Sequence, residues 1–180
     1  MAFGGTFTFD IPTYRAVLLC LLKSIERHGF KRVFIVNGHG GNNTALNAFL
    51  PDFAVATGLD IRTATYFWLA PGPMKEILED QESVRHACEA ETSMMLALIP
   101  DLIDRDGLSQ VHGPYVPGLA AIPGVNPGVY RWRQLSSRSL IGVIGDAGAA
   151  TPEKGEKLLQ AIASAVAKAL LEERLWEEPI

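Results

Sequence analysis

The sequence predicts an α/β fold, with a mostly parallel sheet and helices on both of its faces. Short strand-like apolar runs alternate with segments of helical periodicity along the 180 residues, and this alternation is typical of parallel sheets. The length and an apolar content of 48% suit a single compact domain, residues 1–180, with a sizeable core.

The first half of the chain predicts two strand–helix pairs. Residues 6–9 form a short strand, and the helix after it ends at Gly29, because glycine readily takes the left-handed conformation that follows a helix. The apolar run Val33–Val36 predicts a buried strand. A helix at about 43–57 then begins at an asparagine cap, and Pro51 is expected to kink or split it.

The second half is less regular. Residues 60–69 are rich in β-branched and aromatic side chains and predict another strand, and two helices follow, at 74–82 and 86–99. Prolines and glycines make 100–139 an irregular excursion, and Thr151 starts the final helix, with a proline after it. The remaining predicted strands lie near 110–116, 128–133 and 140–144.

Charge and cysteine content exclude several classes of function. A formal net charge of −4, without a basic stripe, argues against a nucleic acid as partner. The apolar run 16–22 is far too short to cross a membrane. Cys20 and Cys88 both fall in predicted helices and suggest no disulfide framework. A soluble protein of the reducing cytoplasm is therefore expected.

The segment 37–42, Asn-Gly-His-Gly-Gly-Asn, is the most informative in the chain. It places His39 at the carboxyl end of a predicted strand and beside a helix start, where ligands bind in open α/β sheets. An imidazole there suits a metal ion or proton transfer. The neighbours turn the chain tightly, and their amide groups could also face a substrate oxygen. These predicted substrate-binding residues are Asn37, Gly40, Gly41 and Asn42.

A second motif, His-Ala-Cys-Glu-Ala-Glu-Thr-Ser at 86–93, predicts a helix with one apolar face. That face consists of positions 87, 91, 94, 95 and 98 and places Glu91 amid apolar side chains. A buried carboxylate needs a positive partner, so a metal ion or a base would satisfy it. Glu89 lies three residues after His86, close enough for the two side chains to meet.

Together these two motifs resemble the creatininase family, the creatinine amidohydrolase-like metal hydrolases. The family usually has glycine where Cys88 stands, so we interpret Cys88 as a packing residue. Gly5-Thr6, residues 27–30, residues 142–146 and residues 150–155 also resemble family segments. The resemblance implies a three-layer α/β/α sandwich, hydrolysis of a C–N amide bond in a small molecule, a two-metal site and a homo-oligomer, commonly a hexamer.

The resemblance also distributes roles among the motif residues. His39 and Glu91 are the candidate ligands of a zinc, manganese or iron ion. His86 is the catalytic histidine that gives a proton to the leaving nitrogen or holds the tetrahedral intermediate. Glu89 is the candidate general base, with a solvated helix residue as the alternative. Some relatives carry an acidic ligand at the position of Gly41, so here the carboxylate must come from elsewhere, and Glu91 and Glu89 are the two candidates for it.

One family feature is missing from the sequence. Family members carry a Glu-x-His pair followed by an aspartate before the first of these motifs. The one Glu-x-His pair of this sequence, Glu26–His28, falls at the end of a predicted helix, and no aspartate stands between it and the histidine loop. We interpret the chain as lacking that segment. A non-catalytic remnant or fragment, acting as an oligomerising or structural subunit, is therefore the alternative function. A nucleotide-binding domain rests on the glycine loop alone, without the G-x-G-x-x-G or Walker spacing.

Overall fold

The computed structural model describes residues 3–113 and 133–177. The chain divides into two compact units. The first unit comprises Met1–Thr6 and Pro71–Ala161, and the second comprises Phe7–Ala70 and Ile162–Ile180. That residues 1–180 form a single domain stays a prediction.

The second unit is built on two parallel strands. β1 (Arg32–Asn37) pairs in parallel with β2 (Asp60–Thr65), and α2 (Asn43–Thr57) connects them. α1 (Ile11–Arg27) precedes β1, and its N-terminus is capped by Asp10. The predicted strand–helix–strand order is confirmed here.

Two details of this unit differ from expectation. α2 continues through Pro51 rather than splitting there. It ends where Gly58 takes the left-handed conformation with a φ of 69°. β2 ends at Thr65 because residues Tyr66–Trp68 turn into a short 3₁₀ helix, so the predicted strand 60–69 is too long.

The core of the second unit lies between its helices and the two strands. Phe49 and Phe53 of α2 pack with their ring centroids 5.6 Å apart. The buried core residues are Leu22, Phe49, Phe53, Leu59 and Ile61, with partly buried Tyr14, Leu18, Leu19, Val33, Ile35, Ala45 and Leu50 around them.

The last described residues of the chain also pack in the second unit. The Trp176 ring lies 5.5 Å from the Arg32 guanidinium and 5.4 Å from that of Arg62. Arg62 also donates a hydrogen bond to the Leu175 carbonyl. Cation–π contacts and this bond hold the C-terminal segment against β1 and β2.

The first unit contains short helices and a small antiparallel pair. α3 (Pro71–Ile77) and α4 (Glu89–Leu98) precede β3 (His112–Gly113), which pairs antiparallel with β4 (Gly145–Asp146). α5 (Pro152–Leu171) contributes its residues up to Ala161 to this unit and the rest to the second. The buried apolar residues of the first unit include Met74, Leu78, Cys88, Ala90, Met94, Leu96, Val143, Ile144, Ala147 and Leu158.

Two predicted strands are wrong. Residues 6–9 are extended but belong to no strand, and Phe7 and Phe9 are exposed. Residues 140–144 form no strand either, although Ile144 makes a single bridge and β4 follows it. A segment becomes a strand only when a neighbouring strand shares its backbone hydrogen bonds, and local composition does not show whether such a neighbour is present. The predicted strand near 128–133 lies almost wholly outside the described residues.

The described helices do not have the properties of membrane spans. None of those in residues 3–113 and 133–177 combines the length and the hydropathy that crossing a bilayer requires. The sequence-based argument from the short run at 16–22 leads to the same result.

Candidate active-site residues

The histidine loop, residues 37–42, follows β1 directly, as the sequence predicted. β1 ends at Asn37, a 3₁₀ turn covers Gly40–Asn42, and α2 begins at Asn43. His39 is exposed and has an extended backbone with a φ of −143°. The loop therefore presents one accessible imidazole at the carboxyl end of a parallel strand, the edge at which ligands bind in such sheets.

Asn37 holds this loop together. Its side chain is buried, and its Nδ2 donates hydrogen bonds to the His39 carbonyl at 2.8 Å and to Thr65 Oγ1 at 2.9 Å. Its Oδ1 accepts from the His39 N–H at 3.2 Å and from Asn42 Nδ2 at 3.4 Å. The amide groups of Asn37 and Asn42 thus bond within the loop, and their predicted contact with a substrate stays a prediction.

The imidazole of His39 lies over the glycine two residues further on. A Cβ at Gly41 would come within 2.6 Å of His39 Nε2, and a Cβ at Gly40 would touch the Phe67 ring at 3.4 Å. Glycine at 41 therefore leaves the space in which the ring sits. A carboxylate side chain at this position would require the ring to move.

The second motif is fixed at His86 through its backbone. His86 and Ile144 form an isolated antiparallel bridge, in which the Ile144 N–H donates to the His86 carbonyl at 2.8 Å. The imidazole Nδ1 of His86 is buried and makes no hydrogen bond with any described residue. A buried polar nitrogen without a partner is uncommon, and it marks His86 as the residue of this motif with an unused donor or acceptor.

Ala87 has the unusual backbone of this segment. It has a φ of +45°, the only positive φ at a non-glycine residue among residues 3–113 and 133–177. Its N–H donates to Glu91 Oε2 at 2.5 Å. Glu91 therefore closes the first turn of α4 as a capping side chain, and its other oxygen makes no hydrogen bond with the part of the chain that the structure describes.

The predicted apolar face of the motif helix is wrong in part. α4 begins at Glu89 rather than at His86, and Met95 and Leu98 are exposed. The buried residues of α4 are Glu89, Ala90, Ser93, Met94 and Leu96. The helix therefore turns a neighbouring face to the core, and Glu89, not Glu91, is its fully buried carboxylate.

Glu89 is surrounded by donors. Its oxygens accept hydrogen bonds from the Glu79 N–H at 3.0 Å and the Asp80 N–H at 2.9 Å. Lys154 Nζ lies 2.7 Å from Glu89 Oε1 and also donates to the Ala149 carbonyl at 2.7 Å. A buried carboxylate with three donors is satisfied without a metal ion.

Lys154 is the residue that the sequence analysis missed. It lies in the first turn of α5, where the partial positive charge of the helix N-terminus disfavours a cation. Burial lowers the pKa of Lys154, but hydrogen bonds with Glu89 and Glu79 outweigh burial, so the net pKa is raised. A lysine at an unfavourable helix position was the available sign that it has an acidic partner.

Cys88 is fully buried at the N-cap position of α4. Its Sγ accepts hydrogen bonds from Gln81 Nε2 at 3.0 Å and from the Arg85 N–H at 3.3 Å. A thiol enclosed in this way suits the packing role that we predicted for it.

The described residues do not make up a metal site on their own. Within residues 3–113 and 133–177, no group of three or more histidine, cysteine, aspartate and glutamate side chains could hold a metal ion. Residues 114–132 contain none of these four residue types. His39 and Glu91 belong to different units, so their convergence on one ion stays a prediction.

A match to a family model shows to which protein family the chain belongs. The model of creatininase, described as creatinine amidohydrolase, matches residues 1–170. The chain belongs to the creatininase family.

Curated creatininase relatives are longer than this chain. It is 26% identical over 182 residues to creatinine amidohydrolase of Pseudomonas putida, and the match covers 95% of this chain and 66% of that protein. It is 30% identical over 157 residues to the mycofactocin precursor peptide peptidase of Mycobacterium ulcerans (strain Agy99), covering 87% of this chain and 54% of that one. The chain thus spans just under two thirds and about half of these two relatives.

Solved creatininases share the fold. A manganese creatininase matches with a TM-score of 0.71 at 26% identity, covering 95% of this chain and 67% of that one. A mutant creatininase of the Zn-Zn type matches with a TM-score of 0.69 at the same identity and coverage. The predicted α/β class is confirmed by these similarities.

Proposed function

We propose that this chain is an amidohydrolase of the creatininase type, acting on the C–N amide bond of a small molecule. The observation that carries the proposal is the family match over residues 1–170, because it includes both the histidine loop and the His86 motif. The substrate class is a cyclic amide, a formamide or a short peptide. Two curated relatives, a creatinine amidohydrolase and a precursor peptide peptidase, support this range.

His86 is the proposed proton carrier. Its Nδ1 is buried and has no hydrogen-bond partner among the described residues, so this nitrogen remains for a substrate or a water molecule. Cleavage of a C–N bond requires that the leaving nitrogen receive a proton. Imidazole can donate and accept a proton near neutral pH. Because Glu89 is held by three donors, we assign it a positioning role and leave proton transfer to His86.

The proposal includes a divalent metal ion, zinc, manganese or iron. Solved relatives are manganese and zinc forms. His39 is an exposed imidazole, and Glu91 keeps one carboxylate oxygen outside its capping bond. Catalytic zinc sites usually have three protein ligands. A bound ion therefore needs at least one ligand in addition to His39 and Glu91.

A second candidate function is that of a non-catalytic oligomerising or structural subunit. It is favoured by the lack of any group of three metal-binding side chains in the part of the chain that the structure describes. Metal affinity falls when the ligand count falls, so two ligands retain an ion poorly. The family commonly forms ring-like homo-oligomers, and a hexamer is the state that this proposal gives to the chain.

Metal content and hydrolysis, measured together, separate the two candidates. The purified 180-residue chain is dialysed with and without Mn²⁺ or Zn²⁺, its metal is quantified by mass spectrometry, and it is assayed on creatinine, a formamide and a short peptide. The amidohydrolase proposal expects retained metal and turnover, both lost in His39→Ala. His28→Ala is the matched control, because His28 is an exposed histidine at the end of α1. Substoichiometric metal without turnover would instead support the structural subunit.

A further inference from the structure

The buried ion pair of Glu89 and Lys154 joins two segments that are far apart in the chain. Their contact spans 65 sequence positions and connects the first residue of α4 to the first turn of α5. The Glu89 side chain is fully buried, and only 12% of the Lys154 side chain is exposed. Without Lys154 the carboxylate would be a charge in the interior with only two backbone donors, and the start of α4 would shift towards solvent or Glu89 would take up a proton.

The backbone between Glu89 and His86 is short and constrained. Ala87 keeps a left-handed conformation, and Glu91 accepts its N–H. Such a conformation is unfavourable for alanine and persists only where the surrounding contacts enforce it. Here the contacts are the His86–Ile144 bridge on one side and the fixed start of α4 on the other.

Through these contacts, a change at Lys154 would alter the orientation of the His86 imidazole. If Glu89 is released, α4 loses its anchor and Ala87 can relax out of the left-handed region. That relaxation rotates the peptide units on both sides of Ala87, and with them the direction in which the His86 side chain leaves the backbone. Small displacements of a catalytic group lower turnover strongly, because proton transfer requires the right geometry.

We propose that Lys154, acting through Glu89, is a positioning residue for His86. The catalytic part of this inference rests on the function proposed above, whereas the conformational part can be tested without activity. Lys154 does not touch the imidazole and takes no part in proton transfer. Its role is to neutralise Glu89. The neutralised pair fixes the start of α4 and, two residues before it, the strained Ala87.

The test compares Lys154→Met with Lys154→Arg, which keeps the charge, and with Lys157→Met, an exposed lysine one turn along the same helix. The first readout is the long-range ¹H–¹⁵N spectrum of the four histidine rings, in which His86→Asn identifies the His86 signals. The proposal expects these signals to move in Lys154→Met, to return towards wild type in Lys154→Arg, and to stay unchanged in Lys157→Met. Unchanged His86 signals in folded Lys154→Met would overturn it.

The second readout is kinetic. Lys154→Met is expected to lower kcat by about tenfold or more while KM stays within about threefold, because the group that is displaced acts in the chemical step. An equal loss through KM alone would contradict a positioning role. A wild-type chain without turnover would remove the proposed function but leave the histidine spectrum as a test of the conformational part.

Lys154→Met can fail to fold because it leaves Glu89 buried and unpaired. The double variant Glu89→Leu/Lys154→Met avoids this, since neither member leaves a charge behind, and it also removes the carboxylate that holds the start of α4. Folding is checked by circular dichroism. Displaced His86 signals in the folded double variant support the proposal, and wild-type signals in that variant overturn it.

Discussion

The contact between α4 and α5 makes Gly155 sensitive to any added side chain. Gly155 is buried in the first turns of α5 and faces the Ser93 carbonyl of α4. A Cβ added at Gly155 would overlap that backbone carbonyl and would lie 2.9 Å from the Ala97 Cβ, where ordinary contacts begin at 3.4 Å. Because the obstacle is backbone rather than a flexible side chain, one of the two helices must move.

The size of the effect of Gly155→Ala is set by two opposing contributions. Alanine in a helix interior is more favourable than glycine by up to about 1 kcal/mol. Overpacking of a closely packed contact costs about 1–3 kcal/mol, and a clash with backbone belongs at the upper end. We expect a net loss of about 2 kcal/mol in the free energy of unfolding, which corresponds to a decrease in Tm of roughly 4–8 °C for a chain of this length.

Thermal and urea unfolding followed by circular dichroism measure this loss. Gly72→Ala is the matched control, because Gly72 is an exposed helical glycine of α3 and a Cβ there meets nothing within 4 Å. The control is expected to be as stable as wild type or more stable by up to about 1 kcal/mol. If Gly155→Ala is as stable as Gly72→Ala, the close contact between α4 and α5 is refuted.

Two further predictions concern buried polar groups. Asn37→Ala removes the amide that bonds within the histidine loop and to Thr65, so it is expected to lower the free energy of unfolding by about 1–3 kcal/mol in urea titrations. The control Asn47→Ala, at an exposed helical position, is expected to change the free energy of unfolding little. Equal values for the two variants would contradict the role of Asn37. Burial lowers the pKa of Lys154, but its bonds to Glu89 and Glu79 raise the net pKa above the ordinary 10.5. The contribution of Lys154 to the free energy of unfolding is therefore fully present below pH 10.5 and is lost as the pH rises through the pKa of the folded state. Urea midpoints should therefore fall more steeply above pH 10.5 in wild type than in the Glu89→Leu/Lys154→Met variant, and parallel pH profiles would show that the pair does not contribute.

Local sequence patterns predicted the histidine loop well. An apolar run followed by glycines and an asparagine cap places His39 between β1 and α2, and the structure has it there. These signals lie within a few residues of one another and act through backbone preferences. The role of Asn37 was harder to predict, because one of its partners, Thr65, lies 28 positions away.

The strand predictions at 6–9 and 140–144 failed for a different reason. Both segments have strand-like composition, but a strand exists only where another strand lies alongside and shares its hydrogen bonds. Among residues 3–113 and 133–177, neither segment has such a neighbour along its length, and only Ile144 forms a bridge, to His86.

By itself, the sequence determined the family, the α/β class and the two segments that carry the candidate active-site residues. It also placed two glutamates on α4, but its periodicity indicated Glu91 as the buried one, which is wrong, because a neighbouring face of the helix is turned to the core. The tertiary structure decided this. Lys154, from a distant helix, neutralises Glu89 in the interior, and Glu91 is left to cap the helix. A carboxylate can be buried only where a positive partner lies beside it, and Lys154 comes to lie beside Glu89 only when the chain folds.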